Sequence, residues 1–75
     1  MIRILLSSLL GERRMTQLDL SRRTGIRNAT IHEMYHEFSE RISLEHLDLI
    51  CEVLECDISD ILVREPTPDS KNLPE

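Results

Sequence analysis

Two short helical patterns on either side of a glycine constrain the fold of this chain more than any other feature. The segment 16–36 reads TQLDLSRRTGIRNATIHEMYH. Its apolar residues recur at the spacing of one helix face, and Gly25 can adopt the left-handed conformation that ends a helix. The pattern therefore predicts two short helices that cross at a steep angle, with the second held at the surface. The residues predicted to face inward are Leu20, Ile26, Ile31 and Met34.

The rest of the chain continues this helical periodicity. With 75 residues, one Tyr, one Phe and no Trp, the chain suffices for one small domain with an aliphatic core. No alternating pattern of any length indicates a strand, so we predict an all-α, compact five-helix domain over residues 1–65. The segment 66–75, rich in Pro, Ser and Asp, is predicted to be a flexible tail. The predicted helices cover about residues 2–13, 17–24, 28–36, 44–54 and 58–63.

Apolar stripes along these helices predict the remaining core. Thr16 and Ser43 stand where a side-chain oxygen can accept a hydrogen bond from a free backbone N–H, and so mark the start of the second and fourth helices. The predicted core residues are Ile2, Leu5, Leu6, Leu9 and Leu10 in the first helix, Leu44, Leu47, Ile50, Cys51 and Leu54 in the fourth, Ile58, Ile61 and Leu62 in the fifth, and Tyr35 and Phe38 near the end of the third.

The formal net charge of -5 opposes indiscriminate nucleic-acid binding, but the charge is divided unevenly. Residues 1–41 carry seven Arg against five acids, a balance of +2, and this half contains the two helices around Gly25. Residues 42–75 carry nine acids against one Arg and one Lys, a balance of -7. Such an asymmetry suits a protein that presents one face to phosphates and the other to water or to a partner.

Neither the first residues nor the cysteines indicate secretion. Residues 1–10 contain an interrupted apolar run with no small-residue cleavage site after it, and the run is too short to span a bilayer. We therefore predict a cytoplasmic protein without membrane contact.

Cys51 and Cys56 are five residues apart in a helical stretch. That spacing suits neither a CxxC metal pair nor a local disulfide, so both are predicted to be buried thiols.

The order of these elements resembles the phage-repressor and Cro-like helix-turn-helix proteins, the XRE family. The match covers residues 2–64. It implies a cytoplasmic, non-enzymatic transcription regulator, such as a repressor, that needs no cofactor. Such a protein binds double-stranded operator DNA as a homodimer with its third helix, about 28–36, in the major groove. The residues that carry the resemblance are Arg14-Met15-Thr16-Gln17, Leu20-Ser21, Gly25-Ile26, Thr30-Ile31 with Met34, Leu44-x-x-Leu47-x-x-Ile50-Cys51-x-x-Leu54 and Asp57-Ile58-Ser59-Asp60-Ile61-Leu62.

Three positions depart from the family pattern. Ser21 replaces a usual Ala or Gly but is small enough to allow close packing. Arg27 stands at the usual Ser or Thr N-cap, so Asn28 can cap the third helix instead of contacting a base. Glu37-Phe38 replaces a common Asn-Gly turn, which changes the backbone contacts expected of that loop.

The resemblance also implies a phosphate contact. Gln17, the first residue of the second helix, matches the position that grips a phosphate in the family. A side-chain amide and free backbone N–H groups at a helix start favour an anion. Thr30 and His36 can also contact the DNA backbone. Five arginines are candidates for phosphate contacts, with a solvated surface charge as the alternative for each: Arg13, Arg14, Arg22, Arg23 and Arg41.

The outward residues of the third helix each permit a base contact, with a solvated surface side chain as the alternative. The Arg27 guanidinium can bind guanine O6 and N7 or a phosphate, and Asn28 can bind adenine. Ala29 offers only a methyl contact to thymine. His32 can donate to a base or a phosphate, whereas Glu33 can accept from cytosine N4 but repels phosphate.

The letters from His32 to His36 also match H-E-x-x-H, the zinc-protease motif. Histidines at i and i+4 on a helix can share a metal, and Glu33 could polarise a bound water. A catalytic site needs a third ligand and a cleft, however, and His46 lies farther along the chain than the metzincin pattern requires. Neither a metal site nor catalytic residues are predicted.

Two functions remain open from the sequence. The first is sequence-specific DNA binding by a dimer on a palindromic site, with the dimer contact in the acidic fourth and fifth helices. The alternative is a protein-interaction module, such as the antitoxin of a toxin–antitoxin pair. The acidic segment 42–75 and the presence of Ala29 and Glu33 on the reading face would suit that alternative.

Overall fold

A computed structural model describes residues 1–66, so the predicted tail lies outside the described residues except for Pro66. Five helices and a two-stranded antiparallel sheet make up the described part. Within it, no helix has both the length and the apolar character needed to cross a bilayer. The elements are β1 (Ile2–Ile4), α1 (Leu6–Glu12), α2 (Gln17–Thr24), α3 (Asn28–Tyr35), α4 (Leu44–Leu54), α5 (Ile58–Ile61) and β2 (Leu62–Arg64).

The core of the fold is aliphatic, as the composition predicts. Helix α2 packs against both α3 and α4, while α1 packs against α3 and α5. Among residues 1–66, no polar or charged residue is buried. The buried residues include the four predicted around the helix–turn–helix; the full set is Ile4, Leu6, Leu9, Leu10, Leu20, Ile26, Ile31, Met34, Leu47, Ile50, Leu54 and Ile61.

The prediction of an all-α fold is wrong at both ends of this core. β1 and β2 pair antiparallel, with Arg3 opposite Val63. α1 therefore begins only at Leu6, and α5 ends at Ile61. Ile2, predicted to be in the core, is 60% exposed, whereas Ile4 is buried. The strand pairing joins residues too distant in the chain for local periodicity to reveal.

Three other residues assigned to the core lie on the surface. Leu44, the first residue of α4, is 81% exposed, and Ile58, the first residue of α5, is 43% exposed. Phe38, which follows α3, is 69% exposed. A row of apolar residues along a helix predicts which side of the helix faces inward. It does not predict how far the neighbouring element extends to cover that side. The fold consequently leaves apolar surface uncovered at the starts of α4 and α5.

Side-chain hydrogen bonds fix the turn between α2 and α3. Gly25 ends α2 in the left-handed conformation, with φ 79°. The Thr24 hydroxyl donates to the Leu20 carbonyl at 2.7 Å and accepts from the Ile26 N–H at 3.1 Å. The Ser21 hydroxyl donates to the Ile26 carbonyl. Ser21 therefore ties α2 to the turn, a role that its small size alone does not predict.

The loop after α3 is held by an ion pair that replaces the expected turn chemistry. Glu37 has a positive φ of 60°, a conformation that costs an L residue roughly 1 kcal/mol. Its carboxylate accepts from the Arg3 guanidinium at 2.8 and 2.9 Å and from the Ile4 N–H at 3.1 Å. These bonds, that from Arg3 foremost, lower the pKa of Glu37 to about 2. Glu37 thus joins the loop to β1 and offsets the backbone strain.

Replacing Glu37 with Ala is expected to lower the free energy of unfolding by about 1 kcal/mol at neutral pH, because the bidentate ion pair is partly exposed and its loss leaves the strained backbone in place. Glu37→Asn is the matched control, since Asn tolerates a positive φ but carries no charge. Glu37→Asn should therefore destabilise the fold less than Glu37→Ala.

The same ion pair predicts a pH dependence. Because the pKa of Glu37 is lowered in the folded state, its stabilisation is complete above the ordinary value of 4.5 and is lost as the pH falls toward about 2. Urea denaturation of the wild type and of Glu37→Ala at pH 7 and at pH 3 measures this. A difference between the two proteins that is equally large at both pH values would contradict the assignment.

Candidate nucleic-acid interface

Helix α3 has one buried face and one exposed face. Ile31 and Met34 fix the inner face, at 0% and 1% exposure. Thr30 is half-buried at the boundary. Positions at i, i+1, i+4 and i+5 share one side of a helix, and here that side faces away from the core. The exposed residues at and after the start of α3 are Arg27, Asn28, Ala29, His32 and Glu33.

The start of α3 carries no side-chain cap. Arg27 occupies the N-cap position, and its carbonyl accepts from the N–H groups of Thr30 at 3.0 Å and Ile31 at 3.1 Å. Asn28 is the first helical residue and forms no capping hydrogen bond. The alternative in which Asn28 caps α3 is therefore wrong. Within residues 1–66, neither the Arg27 nor the Asn28 side chain is held by a hydrogen bond or an ion pair.

The start of α2 is built by a reciprocal capping box. The Thr16 hydroxyl accepts from the Asp19 N–H at 3.0 Å, and the Asp19 carboxylate accepts from the Thr16 N–H at 3.3 Å. The N–H groups of Gln17 and Leu18 have no acceptor among residues 1–66, as expected at a helix start. Gln17 is half-buried at this end. The two N–H groups and the Gln17 amide can together bind a phosphate oxygen.

The charges around α2 have opposite signs at its two ends. Hydrogen bonds from Thr16 lower the pKa of Asp19, and the nearby Arg22 and Arg23 lower it further. Asp19 is therefore ionised at neutral pH and opposes an anion at the start of α2. Arg22 and Arg23 are exposed in the last turn of the helix. The positive charge that could attract DNA here lies toward the turn and Arg27.

The start of α4 lies beside α3, which the sequence did not indicate. The Ser43 hydroxyl caps α4 by accepting from the His46 N–H at 3.3 Å. Thr30 and Glu33 of α3 line a pocket of about 240 Å³ together with Arg41, Ser43 and His46. Arg41 and a second helix start are thereby added to the edge of the exposed α3 face. In the sequence, only the potential cap Ser43, close after Arg41, could have indicated that a helix begins beside α3.

Two of the arginines assigned to the DNA backbone differ in their surroundings. The Arg13 Nε donates to the Leu54 carbonyl at 2.8 Å, so this side chain satisfies the last turn of α4. Arg13 therefore has a role within the fold that spacing did not suggest. Arg14 is exposed, with a positive φ of 52°, in the connection that leads to α2. Arg14 stays a candidate for phosphate contact beside Gln17.

Aromatic rings gather at the end of α3. The His36 ring stacks on Phe38 with centroids 5.6 Å apart, and it meets Tyr35 edge-on at 5.0 Å and His32 edge-on at 4.4 Å. His36 is exposed beside these rings and stays a candidate for a phosphate contact. His32 lies at the border between this cluster and the exposed α3 face.

Among residues 1–66, no group of three His, Cys, Asp or Glu side chains is arranged to hold a metal ion, so the H-E-x-x-H motif has no third ligand there.

Comparison with known proteins places these features in a family. A family model for the Cro/C1-type helix-turn-helix DNA-binding domain matches residues 5–67. A solved structure described as that of "a putative DNA-binding protein from Bacteroides fragilis" has a TM-score of 0.75 to this chain at 24% sequence identity. The alignment covers 84% of this chain and 100% of that one, and the likeness concerns the fold. No curated protein is significantly similar in sequence.

Proposed function

Since this chain belongs to the Cro/C1-type helix-turn-helix DNA-binding family, we propose that it is a cytoplasmic transcription regulator that binds operator DNA sequence-specifically. Helix α3 enters the major groove in this proposal. The observation that supports it most is the two-sided character of α3. Ile31 and Met34 hold its inner face rigidly, while the side chains at its start are exposed and unengaged within residues 1–66.

Base and phosphate contacts divide between different elements in the proposed complex. Arg27 and Asn28, at the start of α3, are placed to meet base edges in the groove, where a guanidinium recognises guanine and an amide recognises adenine. Helix α2 packs against α3, and the start of α4 lines a pocket with α3. The N–H groups at the starts of α2 and α4 suit phosphates beside the groove. Further residues proposed for the interface are Ala29, Thr30, His32 and Glu33 on α3 and Gln17, Arg14, His36 and Arg41 beside it.

A homodimer completes the proposal, because one domain of this size contacts only about half of an operator. The surface that suits a second copy is the groove between α4 and α5. This groove has a volume of about 460 Å³ and is lined mainly by apolar side chains, including the exposed Leu44 and Ile58. Exposed apolar surface of this kind commonly marks an interface.

A protein-interaction module is the second candidate function. Asp48 and Asp57 line the same groove as Leu44 and Ile58. Contact with a basic partner protein would neutralise these two carboxylates, whereas pairing of two copies brings like charges closer together. This charge is the observation that supports the second candidate, and a DNA-binding experiment separates the two functions.

Selection from a pool of random duplexes tests the proposed function. The purified chain should enrich a palindromic site with half-sites about one helical turn apart. Its affinity for that site should fall as the salt concentration rises. The logarithm of the binding constant, plotted against the logarithm of the salt concentration, should have a slope of about −0.9 for each phosphate contact. Glu52→Gln, a change on the exposed side of α4, is the matched control and should select the same site. Enrichment of no duplex would favour the interaction module, and an isolated half-site would contradict the dimer.

A further inference from the structure

The end of α4 places two cysteines at one point in the fold. Glu55 adopts the left-handed conformation, with φ 52° and ψ 53°, and so ends the helix. The Cys56 N–H then returns to the Cys51 carbonyl at 3.0 Å, and the Glu55 N–H returns to the Glu52 carbonyl at 3.3 Å. This pair of bonds is a Schellman motif. The two residues joined by its longer-range bond, here Cys56 and Cys51, usually pack against each other. Here both of those residues are cysteines.

The motif brings the two cysteines closer together than their spacing on a continuous helix predicts. Side chains five apart on a continuous helix point to different sides, which is why the sequence argued against a local disulfide. The reversal at Glu55 brings Cys56 back over the helix end. The hydrogen bond between Cys56 and Cys51 limits the separation of their Cα atoms to at most about 7 Å. Disulfides span Cα separations of roughly 4.4–6.8 Å, so the backbone is suited to one.

The surroundings of the two thiols keep them close and accessible. Both cysteines are free and half-buried rather than buried as predicted, and both line the groove between α4 and α5. Burial raises the pKa of the Cys56 thiol, and the neighbouring Cys51 thiol raises it further. A protonated thiol reacts slowly, so these surroundings slow the attack of the Cys56 sulfur on an oxidant. The thiols are nevertheless exposed enough for a small reagent to reach them.

We propose that Cys51 and Cys56 are a reversible disulfide site that small-molecule disulfides oxidise. The thiolate of one cysteine attacks a sulfur of the small disulfide, which forms a mixed disulfide and releases one small thiolate. The thiolate of the other cysteine attacks the protein sulfur of that adduct, forms the Cys51–Cys56 bond and releases the second small thiolate. The two thiol protons of the protein pass through solvent to the two released thiolates. Two electrons pass to the small disulfide, which is reduced to two thiols.

Oxidation of the full chain by glutathione buffers tests the site. Intact mass should show a monomer that has lost two hydrogen atoms and carries no adduct, and dithiothreitol should restore both thiols. Cys51→Ser and Cys56→Ser are matched variants, and each should stop at a single glutathione adduct. Accumulation of a doubly glutathionylated chain, an intermolecular disulfide or an unreactive chain would overturn the proposal.

A comparison with the unfolded chain tests whether the fold creates the site. Because the Schellman motif holds the two cysteines together, the native chain should be half-oxidised at a ratio of oxidised to reduced glutathione at least about tenfold lower than the chain in urea. This readout needs no substitution and so does not depend on any variant folding. The same ratio for the native and unfolded chains would show that α4 and its end contribute nothing to the pairing.

Discussion

Leu20→Ala is expected to lower the free energy of unfolding by about 3 kcal/mol, because the removed side-chain atoms leave a cavity that the packed neighbours fill only partly. Leu20 is 0% exposed, on the helix that packs against both α3 and α4. Small domains have total stabilities of only about 5 kcal/mol. The change should therefore remove more than half of the stability and raise the unfolded fraction roughly 100-fold.

Urea denaturation followed by circular dichroism measures this effect. Leu18→Ala is the matched control, since Leu18 lies on the same helix but is 48% exposed. Its effect should stay below about 0.5 kcal/mol, because little buried surface is lost. Similar losses in the free energy of unfolding for the two variants would contradict the burial of Leu20 in the core.

Arg27→Ala is expected to weaken binding to the preferred DNA site by about 1–3 kcal/mol, roughly 5- to 150-fold, with a much smaller effect on unrelated duplexes. The reason is that a guanidinium bonded to a guanine edge contributes only where the guanine is present. The fold should be unaffected, since α3 begins through the Arg27 backbone and receives no side-chain cap. Arg27→Lys keeps the charge but loses the forked geometry, so it should restore general affinity without restoring discrimination.

Gln17→Ala provides the contrasting pattern in the same experiment. Gln17 lies at the start of α2, where the proposed contact is a phosphate, and so its loss should weaken all duplexes about equally. Fluorescence anisotropy with the selected site and with a scrambled duplex of equal length measures both variants. A uniform loss for Arg27→Ala as well would reduce Arg27 to a phosphate contact.

Local chemistry explains why α2 and α3 could be predicted so closely. Thr16 and Asp19 form a capping box within one turn, and Gly25 needs no partner to take a positive φ. The start of α4 at Ser43 follows from the same local rule. The spacing of Ile31 and Met34 also separated the buried from the exposed face of α3. What the exposed residues bind stays a prediction, because exposure alone does not specify a ligand.

Contacts between distant residues account for what the sequence did not reveal at the site and around it. Arg13 bonds to the end of α4, and Glu37 bonds to Arg3, although neither pair is close in the chain. The pocket beside α3 likewise depends on where α4 begins in space. Each of these depends on which segments meet, which helical periodicity does not encode.

The sequence by itself determined the four helices α2 to α5, the caps of α2 and α4, most of the aliphatic core and the exposed side of α3, because hydrophobic spacing and end-capping act within a few residues. Only the tertiary structure decided the β1–β2 pairing, the exposure of Leu44 and Ile58, and the meeting of Cys51 with Cys56. The physical reason is that strand pairing and uncovered surface depend on how elements pack together. The meeting of the two cysteines depends on a backbone reversal at Glu55, a residue type that seldom adopts a positive φ.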